Sequence, residues 1–104
     1  MNEILNKITT IIKTYDSGSW QSVDNLRVLL RELSANYYYL TKYNIEAAQD
    51  WNKEVYKFKG SNAAGVTFAD LTVPELRITR KILSAADRVL NSIRSEISTI
   101  NKEG

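Results

Sequence analysis

The chain has 104 residues, 43% hydrophobic and 25% charged, with 14 Lys and Arg against 12 Asp and Glu. That length holds one domain with an adequate core, and a net charge of +2 declares no long-range attraction to nucleic acid or anionic lipid. Neither Cys nor His is present, which excludes disulfides, thiolate nucleophiles, His-based triads and the usual zinc sites.

Apolar residues at Ile4, Leu5, Ile8, Ile11, Ile12 and Tyr15 fall on one helical face, which predicts a first helix over about residues 3–15 with Asn2 as its N-cap. Its Ile and Thr content makes it a poor isolated helix, so it needs packing onto longer partners. The run Asp16, Ser17, Gly18, Ser19 carries turn chemistry that ends it, and Trp20 is placed to seal the end of a core. The N-terminal segment has no basic leader and no continuous apolar run, and no window approaches a membrane span, so the chain is expected to stay in the cytoplasm.

A second helix is expected over residues 22–59, about 55 Å long, capped by Ser22 and ended by Gly60. Its seam runs Val23, Leu26, Leu30, Leu33, Tyr37, Leu40, Asn44, Ala47, Trp51, Glu54 and Phe58, in alternating steps of three and four. Asn44 and Glu54 interrupt it. Either the stripe drifts round the helix, with Ile45, Ala48 and Val55 taking over, or these polar positions set the register between helices.

Residues 60–71 show small side chains and no clear period, which predicts a long loop tacked to the core by Val66 and Phe68. Thr72, Val73, Pro74, Glu75 then read as a capping box opening a third helix over 73–101. Its seam is Leu76, Thr79, Leu83, Ala86, Leu90, Ile93, Ile97 and Ile100, widened by Ile78, Ile82, Ala85 and Val89. The expected fold is all-α: a single domain of two long helices in an antiparallel hairpin plus a short N-terminal helix. Stripes this wide exceed what one short helix covers, so the bundle is expected to be completed by self-association, as a homodimer or higher oligomer.

The least ordinary composition lies at Tyr37, Tyr38, Tyr39, Leu40, Thr41, Lys42 and Tyr43. Successive helical residues point about 100° apart, so these rings cannot all face one core. Tyr38, Tyr39, Lys42 and Tyr43 are candidate partner-binding residues, either as a subunit or protein interface or as a stacking platform for a single strand, with Lys42, Lys53 and Lys57 holding phosphates. Arg77, Lys81, Ser84 and Arg88 line one face of the last helix, and with Arg80 form a candidate nucleic-acid-binding strip. The alternative is a solvated face with Asp87 paired between Arg80 and Arg94. Glu46, Asp50 and Glu54 recur at four-residue spacing, but without the accompanying His of helical carboxylate metal sites they read as an acidic solvated face. No phosphate loop or nucleophile motif is present, so no enzyme, cofactor, metal or small-molecule substrate is expected.

TVPELRITRKILSAADRVLNSIRSEISTI, residues 72–100, together with the preceding YYYLTKY, resembles small helical proteins encoded in bacteriophage genomes. Those share a Val-Pro-Glu entry to a final helix containing a run like Ser92, Ile93, Arg94, Ser95, Glu96, Ile97, Ser98. The resemblance brings no site residues. It implies a phage accessory protein in the host cytoplasm, either beside replication or recombination genes or as an inhibitor of a host defence. A host or phage protein, with nucleic acid as the alternative, is then the expected partner.

Overall fold

In the computed structural model, residues 2–57 and 62–103 are described. They form four helices, α1 (Asn2–Asp16), α2 (Val23–Tyr56), α3 (Asn62–Thr72) and α4 (Glu75–Glu103), with no strand among the described residues. The all-helical class agrees with the sequence pattern. The number of helices does not, because the segment expected as a loop over 60–71 is the helix α3.

α2 and α4 make the most extensive contact and run antiparallel. At about 1.5 Å per residue they are roughly 51 and 44 Å long, which gives the molecule its 62 × 24 × 20 Å extent. α1 packs against both over one half, where Leu5, Ile8 and Ile11 meet Leu26, Leu29, Leu33 and Leu40 of α2 and Ala86, Val89, Leu90 and Ile93 of α4. Ile8, Leu26, Leu33, Leu40, Val89 and Ile93 are fully buried, each contributing about 1.5–3 kcal/mol from removal of apolar area from water. α3 covers α2 further along, where Ala47, Val73 and Leu76 form a second core flanked by Ala48 and Trp51. α1 thus covers one half of the α2–α4 pair, and α3 covers α2 over the other.

The helix ends follow local chemistry. α1 stops in a Schellman motif. Gly18 takes φ +69°, its N–H donates to the Tyr15 carbonyl at 3.1 Å, and Ser19 N–H donates to the Thr14 carbonyl at 3.3 Å. Trp20 lies half-buried against the first core, its ring stacked on Tyr15 at 6.5 Å. Ser22 caps α2 by accepting from Asn25 N–H at 3.2 Å. Asn2 lies inside α1 rather than ahead of it. The expected end of the second helix at Lys59 and Gly60, with Phe58 in its seam, lies outside the described residues.

The capping box is replaced by a sharper junction. Thr72 is the last residue of α3, and its hydroxyl donates back to the Phe68 carbonyl at 2.8 Å instead of capping α4. Pro74 has no N–H to continue α3, while its carbonyl accepts Ile78 N–H at 3.2 Å and so starts α4. α3 went unrecognised because its buried positions are Gly65 and Ala69, four residues apart and continued by Val73. These small residues let two backbones approach but carry little hydrophobic signal. Val66 and Phe68, expected to anchor the segment, are 39% and 37% accessible, so more than half of each is covered.

Asn44 marks the register. Its Nδ2 donates to Thr79 Oγ1 at 2.8 Å, and that hydroxyl, fully buried, donates to the Glu75 carbonyl at 2.8 Å. Seven residues earlier on α2, the Tyr37 hydroxyl donates to Asp87 Oδ1 at 2.7 Å, eight residues later on α4. Both bonds satisfy one antiparallel alignment, so Asn44 acts as a register position. Glu54, the other interruption, holds Lys57 Nζ at 2.8 Å. Thr79→Val should destabilise the fold by about 1–3 kcal/mol by leaving the Asn44 amide without its acceptor, and Asn44→Leu added to it should restore part of that loss. Urea unfolding of the four species of this double-mutant cycle measures the effect, and simple additivity would show that the two side chains are uncoupled.

Candidate interaction surface

α2 presents two seams. Opposite the buried one, the positions Val28, Arg31, Ala35, Tyr38, Lys42, Ile45, Gln49, Asn52 and Tyr56 also alternate in steps of three and four, and every one is exposed. Tyr38 is 67%, Ile45 53% and Tyr56 82% accessible. Isolated exposed apolar residues are ordinary, but their alignment along one helical line is not. Tyr38, Lys42, Ile45 and Gln49, with Thr41 and Glu46, line a shallow surface groove of about 340 Å³.

The predicted partner-binding residues divide. Tyr38 and Tyr39 are exposed and meet edge to face, with centroids 5.5 Å apart and planes at 77°. Lys42 is exposed beside them, one turn after Tyr38. Tyr43 lies half-buried in a different groove with Glu46, Asp50 and Val73, so it does not join that cluster. Tyr37 is committed to Asp87. That bond, and burial after it, pushes the Tyr37 phenol above its usual value.

The arginine strip is partly spent on holding helices together. Arg77 pairs with Asp70 at 2.7 Å, and the other oxygen of Asp70 accepts from Trp51 Nε1 at 2.9 Å. One carboxylate therefore ties α2, α3 and α4 at their junction. Arg88 forms a two-pronged bond to Asp16, at 3.1 and 2.9 Å, joining α4 to the end of α1. Arg80 and Lys81 are exposed and take part in none of the ion pairs among the described residues. Asp87 faces Tyr37 across the helix pair, not Arg80 and Arg94 as the alternative had it.

A further exposed surface lies on α3, which the sequence pattern did not single out. Leu71 is 78% accessible, with Val66 and Phe68 exposed on the same short helix and Ile78 exposed at the start of α4. Asp70 is the sole charged residue in α3, and it is turned toward Trp51 and Arg77. The outward face of α3 is consequently uncharged. The signal available was the near-total lack of charge across residues 62–72, and the outward seam of α2 was likewise visible as a second 3–4 series starting from Val28.

Among the described residues no three acidic side chains converge as a metal site, and no helix is long and apolar enough to cross a membrane. A groove of about 540 Å³ between α1 and α2 is lined by Ile11 together with Glu3, Asn6, Lys7, Thr10, Glu32 and Asn36. Comparison with protein families, with characterised proteins and with solved structures finds no match to the chain. The surface chemistry therefore carries the functional argument.

The Asp16–Arg88 pair makes a pH prediction. The guanidinium holds the Asp16 carboxyl below its ordinary 3.8. A lowered folded-state pKa means the pair stabilises the fold above the unfolded value and that this is lost as pH falls through the lowered folded value. Asp16→Asn should accordingly flatten the acid limb of the stability profile below about pH 4, read by urea unfolding at a series of pH values. An unchanged acid limb would show that the pair contributes nothing.

Proposed function

We propose that the protein is a non-enzymatic, self-associating helical binding protein that works by macromolecular contact, as a phage accessory protein or an inhibitor of a host or phage protein. The observation that carries this is the outward face of α3. The eleven-residue helix buries Gly65 and Ala69 and turns Leu71, 78% accessible, to the opposite side, with Val66 and Phe68 partly covered on its two flanks. Small residues inward and large apolar ones outward is the reverse of what a helix serving only its own core would show. Uncharged apolar surface beside an ordered polar framework is the composition of protein-contact cores. The resemblance to phage-encoded helical proteins supplies the biological setting.

A second reading, nucleic-acid binding, is favoured by one arrangement: Tyr38 and Tyr39 expose their rings next to Lys42, as a base-stacking platform requires. Against it, Arg77 and Arg88 are neutralised by Asp70 and Asp16. Arg80 and Lys81 are then the phosphate contacts to test.

Two measurements separate the readings. Affinity capture from host cells carrying the phage should retain a defined protein on the wild-type chain. Leu71→Lys should weaken that capture about tenfold, equivalent to about 1.4 kcal/mol, with helical circular dichroism unchanged because Leu71 is exposed. Fluorescence anisotropy with oligonucleotides at low salt should show no binding. Oligonucleotide binding that falls steeply with salt and drops in Arg80→Ala with Lys81→Ala would replace this function with the second.

A further inference from the structure

Resting on the self-association in that function, we propose that the outward seam of α2 is an antiparallel dimer interface closed by a second copy of this chain. The seam spans Val28 to Tyr56, about 42 Å at 1.5 Å per residue, with no departure from alternating steps of three and four. That periodicity keeps one line of side chains facing one straight partner helix. A small ligand would not require it.

The identity of the occupant follows from charge and symmetry. The seam carries two cations, Arg31 and Lys42, and no acid. A parallel, in-register second copy would set Arg31 against Arg31 and Lys42 against Lys42. An antiparallel copy centred between Tyr43 and Asn44 removes both conflicts. Arg31 then meets the partner's Tyr56, a cation on an aromatic face. Tyr38 meets the partner's Gln49, and Ile45 lies along the aliphatic stem of the partner's Lys42. Lys42 comes within a turn of the partner's Glu46, which lies on the same flank of the seam.

Every pair occurs twice by the twofold axis. Within the seam the stretch from Arg31 to Tyr56 is symmetric about that centre and so is complementary to itself, as a twofold interface requires, while Val28 lies beyond it. A contact about 38 Å long and about 10 Å wide, one helix diameter, buries roughly 800 Å² over both partners, the size of a weak, reversible dimer.

Because the chain has no Cys, a single engineered Cys carries one nitroxide per protomer. With Ser34→Cys and Arg27→Cys, the antiparallel seam separates the two labels by about 30 and about 50 Å, whereas a parallel one holds both below about 20 Å. Double electron–electron resonance at about 200 µM protein, a concentration chosen to populate a weak dimer, reads both distances. Ile45→Glu, an exposed position in the protomer, should abolish the dipolar signal and give a monomer by sedimentation with helical circular dichroism unchanged. A dimer with other distances, or one that survives Ile45→Glu, overturns this interface and leaves the binding function standing. A wild-type monomer at that concentration overturns the self-association as well, without touching the role of α3.

Discussion

The alignment of α2 against α4 is the constraint on which the rest depends. Apolar packing alone tolerates sliding, because Leu, Ile and Val seams repeat every seven residues and a shift by one repeat buries nearly the same area. Two polar bonds remove that freedom. Asn44 to Thr79 fixes one layer and Tyr37 to Asp87 the next, about 10 Å along the pair at 1.5 Å per residue. Shifting the register would bury the Thr79 hydroxyl without the Asn44 donor and pull Asp87 away from Tyr37. Once this alignment is set, Arg88 stands where Asp16 at the end of α1 reaches it, and Arg77 stands where Asp70 of α3 does.

α1 and α3 then solve the same problem by different means. α1 contributes large β-branched side chains to a deep core, and its amphipathic pattern is strong. α3 contributes small buried residues, Gly65 and Ala69, and a carboxylate, Asp70, that holds Trp51 and Arg77. A helix with Gly in its interior is disfavoured by about 1 kcal/mol on propensity alone, so α3 depends on tertiary contacts more than its neighbours do.

That difference explains what was legible in the sequence. Helices whose burial rests on Leu and Ile announce themselves by period, and α1, α2 and α4 were readable almost to their ends. A helix whose burial rests on Gly and Ala has no such period in any hydrophobicity scale, and α3 reads as a loop. The site residues split in the same way. Tyr38, Tyr39 and Lys42 were recognisable because helical geometry forbids consecutive side chains from sharing one core. Tyr43, Arg77 and Arg88 looked equally free, but each meets neighbours distant in sequence, which composition and spacing do not encode.

The distribution of commitments among polar groups is the last step toward function. Asp16, Glu54, Asp70 and Asp87 are each held by a cation, an indole or a phenol, and the structural consequence is helix joining in three of the four cases. Carboxylates spent in this way are unsuited to proton transfer, since their protonation would loosen the fold they hold. Beside exposed charges such as Lys42, Arg80 and Lys81, the surface also carries large apolar side chains: Tyr38, Ile45 and Tyr56 along α2, and Val66 and Leu71 on α3. Apolar and aromatic surface does no chemistry of its own, but it gains free energy when another surface excludes water from it. On the proposed binding function, Tyr38, Ile45, Tyr56 and Leu71 are the side chains where that free energy would be gained.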